Sequence, residues 1–335
     1  MKRTLVISLA VLTAVCLFRA SNLLNAAHAQ EGRGPVIHRT NPDNGVANSV
    51  EEPGAPDTDH GAPARIGDAL TTGGTGVVTP AITYHGGPLI QTPHIYIIWY
   101  GNWNQGNGSD TPAGQQIVRD FANSIGGSPY FQLNTTYSAG GYSITGSASF
   151  SGETTDTGSQ GTRLSDNRVF SVVTNAINTG KLPYDQAGVY FVLTSSNISE
   201  SSGFCSRYCG WHTAGNNTNG ARIRFSFVGN ANRCLSSCAA QTTSPNGNAG
   251  VDGAISVMAH ELEEATTDPD PLSGWADSGG AENADKCAWT FGHAQYQTAN
   301  GSWANMALGS RNYLIQRNLQ HNVSGDLCKV NATQN

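Results

Sequence analysis

The stretch Ser256-Val-Met-Ala-His260-Glu261-Leu-Glu-Glu264-Ala-Thr-Thr-Asp268-Pro269 holds the residue types with which proteins bind metals and cleave bonds. Residues i and i+4 share one face of a helix, so His260 and Glu264 can converge on one small target. Glu261 lies about 100° round the helix and can reach a water or ligand held by the other two. This is the spacing of the HExxH zinc-hydrolase helix with its second histidine replaced by glutamate.

Hydrolytic zinc sites use three protein ligands, keep one position for water and place a glutamate nearby as general base. On that pattern His260 and Glu264 are two ligands, and Glu261 is the catalytic base. The third ligand must come from downstream, where Gly280-Ala-Glu282-Asn283-Ala-Asp285-Lys-Cys287 offers Glu282. That resembles the gluzincin arrangement, in which a glutamate on the next helix completes the site and an aspartate just after it orients a histidine, here Asp285. Asp268 and Asp270 compete for the same position, and His212, after the cysteine pair, is a candidate fourth ligand. One imidazole with two carboxylates is a harder ligand set than zinc usually receives, which moves the preference toward manganese, iron or calcium. The added negative charge also makes a zinc-bound water less acidic. The expected cofactor is therefore a divalent metal, zinc among the options, in a working hydrolase, a retired one or a structural site. The plain alternative is an i,i+4 hydrogen bond on a helix face, with Glu-Leu-Glu-Glu otherwise in solvent.

Weaker signals lie elsewhere. His85, beside Gly86-Gly87-Pro88, either lines a cleft or sits in a turn. Trp99, Tyr100 and Trp103 either stack on sugars or pack in a core. Glu261 and Glu264 are too close on one helix to straddle a glycosidic bond. No P-loop, dinucleotide fingerprint or nucleophile elbow is present.

The elements that must position the motif read as follows. His94-Ile-Tyr-Ile-Ile-Trp-Tyr100 is a run of central-strand composition. Thr111-Pro112 offers an N-cap and first-turn proline, with Ile117, Val118, Phe121 and Ile125 following at helical spacing before Gly126-Gly127. Tyr142 to Phe150 alternates like a strand. Val169, Val172, Val173 and Ile177 mark a second helix closed by Gly180. Gly188 to Thr194 and Ala221 to Val228 read as strands, and Asp252 as the cap of a helix running through His260 to Thr267, stopped by Asp268-Pro269. The order β-α-β-α-β-β-α predicts a single α/β domain with a mixed sheet, disulfide-stabilised, whose last helix is zincin-like.

Lys2-Arg3, the apolar run Leu5 to Phe18 and Ala27-His28-Ala29 compose a secretory signal over residues 1–29, too short for a membrane span. Residues 30–80, rich in Gly, Pro, Asp and Ala, read as a disordered leader, and residues 81–330 as the folded domain. The net charge of -6, without a basic block, argues against a nucleic-acid partner. Of seven cysteines, Cys16 falls within the signal, leaving an even set in an oxidising compartment. Cys205, Cys209, Cys234 and Cys238 are expected to pair among themselves and Cys287 with Cys328. A zinc site made of the first four is the rival arrangement.

Six segments carry a resemblance in order: Tyr84-His-Gly-Gly-Pro88, Ile97-Ile-Trp-Tyr-Gly-Asn-Trp103, Phe204-Cys-Ser-Arg-Tyr-Cys-Gly-Trp-His212, Ser244-Pro-Asn-Gly-Asn-Ala-Gly-Val-Asp-Gly253, Ala259-His-Glu261 and Arg311-Asn-Tyr-Leu-Ile-Gln316. Together they resemble the plant EXORDIUM / phosphate-induced protein 1 family from about residue 82 to residue 329. The resemblance implies a secreted, extracellular or cell-wall protein, associated in plants with growth and cell expansion, and no settled reaction. Two functions follow as expectations. One is an extracellular protein with an HExxE metal site, a divergent metallohydrolase acting on an extracellular peptide. The other is a non-enzymatic protein binding cell-wall polysaccharide.

Overall fold

The computed structural model describes residues 37–40, 47–50 and 70–334. The expected signal at residues 1–29 lies outside them, and Ile37 onward forms one compact unit. Its frame is a seven-stranded mixed sheet of β1 (Ile37–Thr40), β2 (Ala47–Val50), β3 (His94–Tyr100), β4 (Ser149–Asp156), β5 (Gly188–Thr194), β6 (Gly210–Asn216) and β7 (Arg222–Val228), in the spatial order β1-β2-β6-β7-β5-β3-β4. Strands β4, β3, β5 and β7 run parallel, while β6 lies antiparallel to both β7 and β2. The mixed α/β sheet agrees with the sequence. Strands β3 and β5 are central and buried on both faces, which is why they read as continuous apolar runs.

Helices cover both faces. They are α1 (Pro112–Ser124), α2 (Asp166–Asn178) and α3 (Ala249–Thr267). Thr111 Oγ1 accepts the Gly114 N–H at 3.0 Å, and α1 buries Ile117, Val118 and Phe121. Phe170 of α2 meets Phe225 of β7 at 5.1 Å between ring centroids, while the opposite face of β6 and β7 receives α3. Each such large apolar side chain contributes about 1.5–3 kcal/mol on burial.

Three boundaries differ from the sequence reading. The alternation from Tyr142 to Phe150 is not one strand: Tyr142–Ser143 pairs with Ser138–Ala139 in a small hairpin, and only Ser149 and Phe150 belong to β4. Asn248 rather than Asp252 caps α3, its Oδ1 accepting the Val251 N–H at 3.2 Å; Asp252 stands in the first turn and accepts from Asn246. Strand β6 was absent from the expected order. Its Gly-Trp-His-Thr-Ala-Gly-Asn composition carries no β-branched run, and it is a strand because β7 supplies a full antiparallel ladder.

Order also starts before residue 81. Besides β1 and β2, Leu70 is fully buried, with its N–H held by Gln295 at 3.1 Å, and Arg317 Nη1 donates to the Gly74 carbonyl at 2.9 Å. The end of the compositionally plain leader thus lies against the domain, because distant polar side chains satisfy its backbone. Cys287 bonds Cys328 and the first four cysteines pair among themselves, as expected; the structure decides their connectivity as Cys205–Cys234 and Cys209–Cys238, and the four-cysteine zinc site is excluded.

Candidate metal centre

Helix α3 is buried nearly all round, which its leading sequence Ile255-Ser-Val-Met-Ala259 permits. His260, Glu261, Glu263 and Glu264 then follow with essentially no solvent exposure. The solvated Glu-Leu-Glu-Glu face offered by the plain alternative does not exist. Ionisable groups with no water nearby must be paired, protonated or bound to a cation.

Strand β6 brings the next partner. Its even-numbered positions face α3, and Gly210 lets the two approach: a Cβ there would stand 2.5 Å from Val257 Cγ1 and 3.2 Å from Glu261 Oε1. Two residues on, His212 points the same way. Its Nε2 lies 3.1 Å from the Asp268 carbonyl oxygen, and its Nδ1 is 3.5 Å from Glu261 Oε2 and 3.6 Å from Glu264 Oε2. A carbonyl only accepts, so Nε2 carries a proton, and Nδ1 faces the two carboxylates, whose proton affinity it lowers.

The segment after α3 closes the cluster. Glu282 Oε2 stands 3.7 Å from His212 Nε2, and the Asp285 N–H donates to Glu264 Oε1 at 3.0 Å. His260 Nε2 lies 2.8 Å from Glu264 Oε1 and 3.5 Å from Asp285 Oδ1, out of hydrogen-bonding alignment with either. Both Glu261 oxygens and Glu264 Oε2 are buried without a hydrogen-bond partner. Glu263 looks elsewhere, accepting from Asn318 Nδ2 at 2.8 Å.

The carboxyls are driven apart in proton affinity. Burial pushes Glu261 up to about 7, against His212 and with the charge of Glu264 adding. Burial would raise Glu264 too, but His260 and His212 hold it down to about 2. Burial, then the Glu264 charge, lifts Asp285 to about 6. His260 resists burial, because Glu264 and Asp285 favour its charged form and raise it well above its ordinary value.

Two sets of three groups have ligating atoms within 4.8 Å of one another: His212, Glu264 and Glu282, and His260, Glu261 and Glu264. The residues selected from sequence, His260, Glu261, Glu264 and Glu282, therefore meet in one cluster. Glu282 falls in the set with His212, and Asp285 is the downstream residue nearer His260. Asp268 joins through its backbone carbonyl. Asp270 turns away to Arg222 and Arg224, at 3.1 and 3.3 Å. His212 is the residue that sequence spacing undervalued, since only the pairing of β6 beside α3 places it.

The weaker candidates resolve into structure. Trp99, Tyr100 and Trp103 are buried, with Trp99 and Trp103 packed edge to face at 5.0 Å, so they offer no exposed sugar platform. His85 directly follows the short strand Thr83–Tyr84, its N–H bonded to the Gly274 carbonyl at 2.7 Å and its Nε2 3.1 Å from the Ala276 carbonyl oxygen.

Residues 82–317 match the family model described as phosphate-induced protein 1 conserved region. The chain is 30% identical to Protein EXORDIUM-like 3 of Arabidopsis thaliana over 72% of its own length and 81% of that protein's. It is 29% identical to Protein EXORDIUM-like 5 of the same plant over 56% of its length, and spans just over half, 58%, of that relative. No solved structure matches the chain. Through the matched region, which contains β6, α3 and the Glu282 segment, the chain belongs to the phosphate-induced protein 1, or EXORDIUM-like, family.

Proposed function

We propose that this is an extracellular protein whose α3 helix, with β6 and the Glu282 segment, holds a divalent metal. The carrying observation is the charge inside the cluster. Glu261, Glu264, Asp268 and Asp285 surround two imidazoles, and no lysine or arginine of the described residues forms an ion pair with any of the four. With all four carboxyls ionised, negative charge is in excess even when both imidazoles are protonated. Burying it uncompensated costs several kcal/mol per ion, roughly, which a bound dication would offset. Its ligands would be His212, Glu264 and Glu282, or His260 and Glu264 with Glu261 beside them, a carboxylate-rich environment that suits manganese, iron or zinc. The three disulfides fit an oxidising compartment, and no helix of the described residues is long and apolar enough to cross a membrane.

In the closed arrangement the centre acts structurally. Its side chains are sealed except for Asp285, whose side chain is 13% exposed; closed sites are the mark of structural metals. One observation favours a hydrolase, for which a zincin-like role of α3 rests on the HExxE spacing. Glu261 is a buried carboxylate with both oxygens unpartnered beside the ligand set, where a general base stands. A bound metal would supply a more acidic water and polarise a peptide carbonyl. Glu261 would take the proton, and Asp285 marks the side open to an extracellular peptide.

Elemental analysis of the mature protein, purified without chelator beside His260→Ala, tests the reading. At least one equivalent of transition metal or calcium, reduced in the variant, is expected; a metal-free wild type would overturn it. Should a peptidase screen find activity, Glu261→Gln should abolish it.

A further inference from the structure

We infer that the centre is dinuclear, with Glu264 as a carboxylate bridge between one divalent ion on His212 and Glu282 and a second on His260 and Glu261. This rests on the metal reading above and deepens it. Glu264 is the one residue common to the two ligand sets, and among the described residues no such set contains both histidines. Its carboxylate is divided between them: Oε1 faces His260 Nε2 at 2.8 Å, and Oε2 faces His212 Nδ1 at 3.6 Å. A single ion on His212, Glu264 and Glu282 leaves His260 and Glu261 buried beside it, with neither Glu261 oxygen hydrogen-bonded.

Three further observations agree. Glu261 is fully buried with neither oxygen hydrogen-bonded, and it belongs to the His260 set, so in the dinuclear centre it is a ligand of the second ion rather than the base. The bond from His212 Nε2 to the Asp268 carbonyl orients the ring with Nδ1 toward Glu264, as backbone carbonyls do behind metal-bound imidazoles. Three ionised, metal-bound carboxylates would carry more charge than one dication neutralises, and a second would remove the excess. Carboxylate-bridged pairs of hard divalent ions are the class of site that activates water against phosphate, ester or amide bonds.

The test is titration of the secreted, chelator-treated full chain with manganese(II), read by bound-metal analysis and electron paramagnetic resonance. Two equivalents per chain and an exchange-coupled spectrum are expected, with His212→Ala retaining one equivalent and an uncoupled six-line signal. One equivalent with a six-line spectrum in the wild type would overturn the bridge and leave a mononuclear centre. No binding of manganese, zinc or calcium would overturn the bridge and the metal reading together. The wild-type spectrum decides alone if His212→Ala fails to fold.

Discussion

His212 Nε2 sits 3.1 Å from the carbonyl oxygen of Asp268, a residue 56 positions later in the chain. That bond ties β6 to the C-cap of α3, where Asp268 also gathers the N–H groups of Ser273 and Gly274 through Oδ1 at 3.1 and 2.6 Å. One residue thus fixes a ring orientation, ends a helix and turns the chain toward Glu282.

Removing that ring should be costly. His212→Ala leaves Glu261 and Glu264 buried without their imidazole neighbour, and losing one partner of a buried charged group costs about 3–5 kcal/mol. Urea unfolding should show this, against a change within about 0.5 kcal/mol for the exposed control His293→Ala. Equal, small effects in the two variants would mean that His212 is not coupled to the carboxylates.

Gly210→Ala tests the contact between strand and helix. The added methyl would stand 2.5 Å from Val257 Cγ1 and 2.9 Å from the Phe227 carbonyl oxygen. Overpacking of this kind costs about 1–3 kcal/mol, and displacement of α3 from β6 should weaken metal retention as well. A variant with wild-type Tm and metal content would show that the two elements tolerate a wider spacing.

Asp277 and Lys286 form a pair whose side chains are 5% and 4% exposed. Burial raises the Asp277 carboxyl, but Lys286 and the N–H groups of Gly279 and Ala281 outweigh it and hold it below its ordinary value. A depressed folded-state value means the stabilisation is complete above the unfolded aspartate value of about 3.9 and is lost as pH falls through the lower folded value. Asp277→Asn should therefore flatten the acid limb of stability against pH, and Lys286→Met should cost about 3–5 kcal/mol at pH 7. Unfolding midpoints across the acid range give the answer; parallel wild-type and Asp277→Asn curves would refute the assignment.

The Cys287–Cys328 disulfide closes a span of 41 residues just after the Glu282–Asp285 segment. Loop-closure entropy assigns such a link about 4 kcal/mol. The Cys287→Ser/Cys328→Ser double variant should lose stability of that order and hold its metal less tightly, because Glu282 and Asp285 lose their anchor. Unchanged metal affinity would separate the disulfide from the centre.

The chain of local signals was legible where backbone and side chain say the same thing. Thr111-Pro112 fixed the start of α1, the apolar runs of β3 and β5 marked central strands, and cysteine parity anticipated three disulfides. The HExxE spacing also singled out His260, Glu261 and Glu264, because i,i+4 geometry is a property of one helix. Strand β6 was not legible, since Gly210 and His212 earn their places only through β7 on one side and α3 on the other.

The sequence by itself therefore determined the elements other than β1, β2 and β6 and the half of the candidate centre that lies on α3, both of which depend on neighbours a few residues away. Tertiary structure alone decided that Glu261 and Glu264 are sealed from water, that His212 stands between them, and that Glu282 and Asp285 take different histidines. Those facts depend on sheet order and on how closely a helix can approach a glycine. No local spacing encodes either one, because both are set by the packing of segments far apart in the chain.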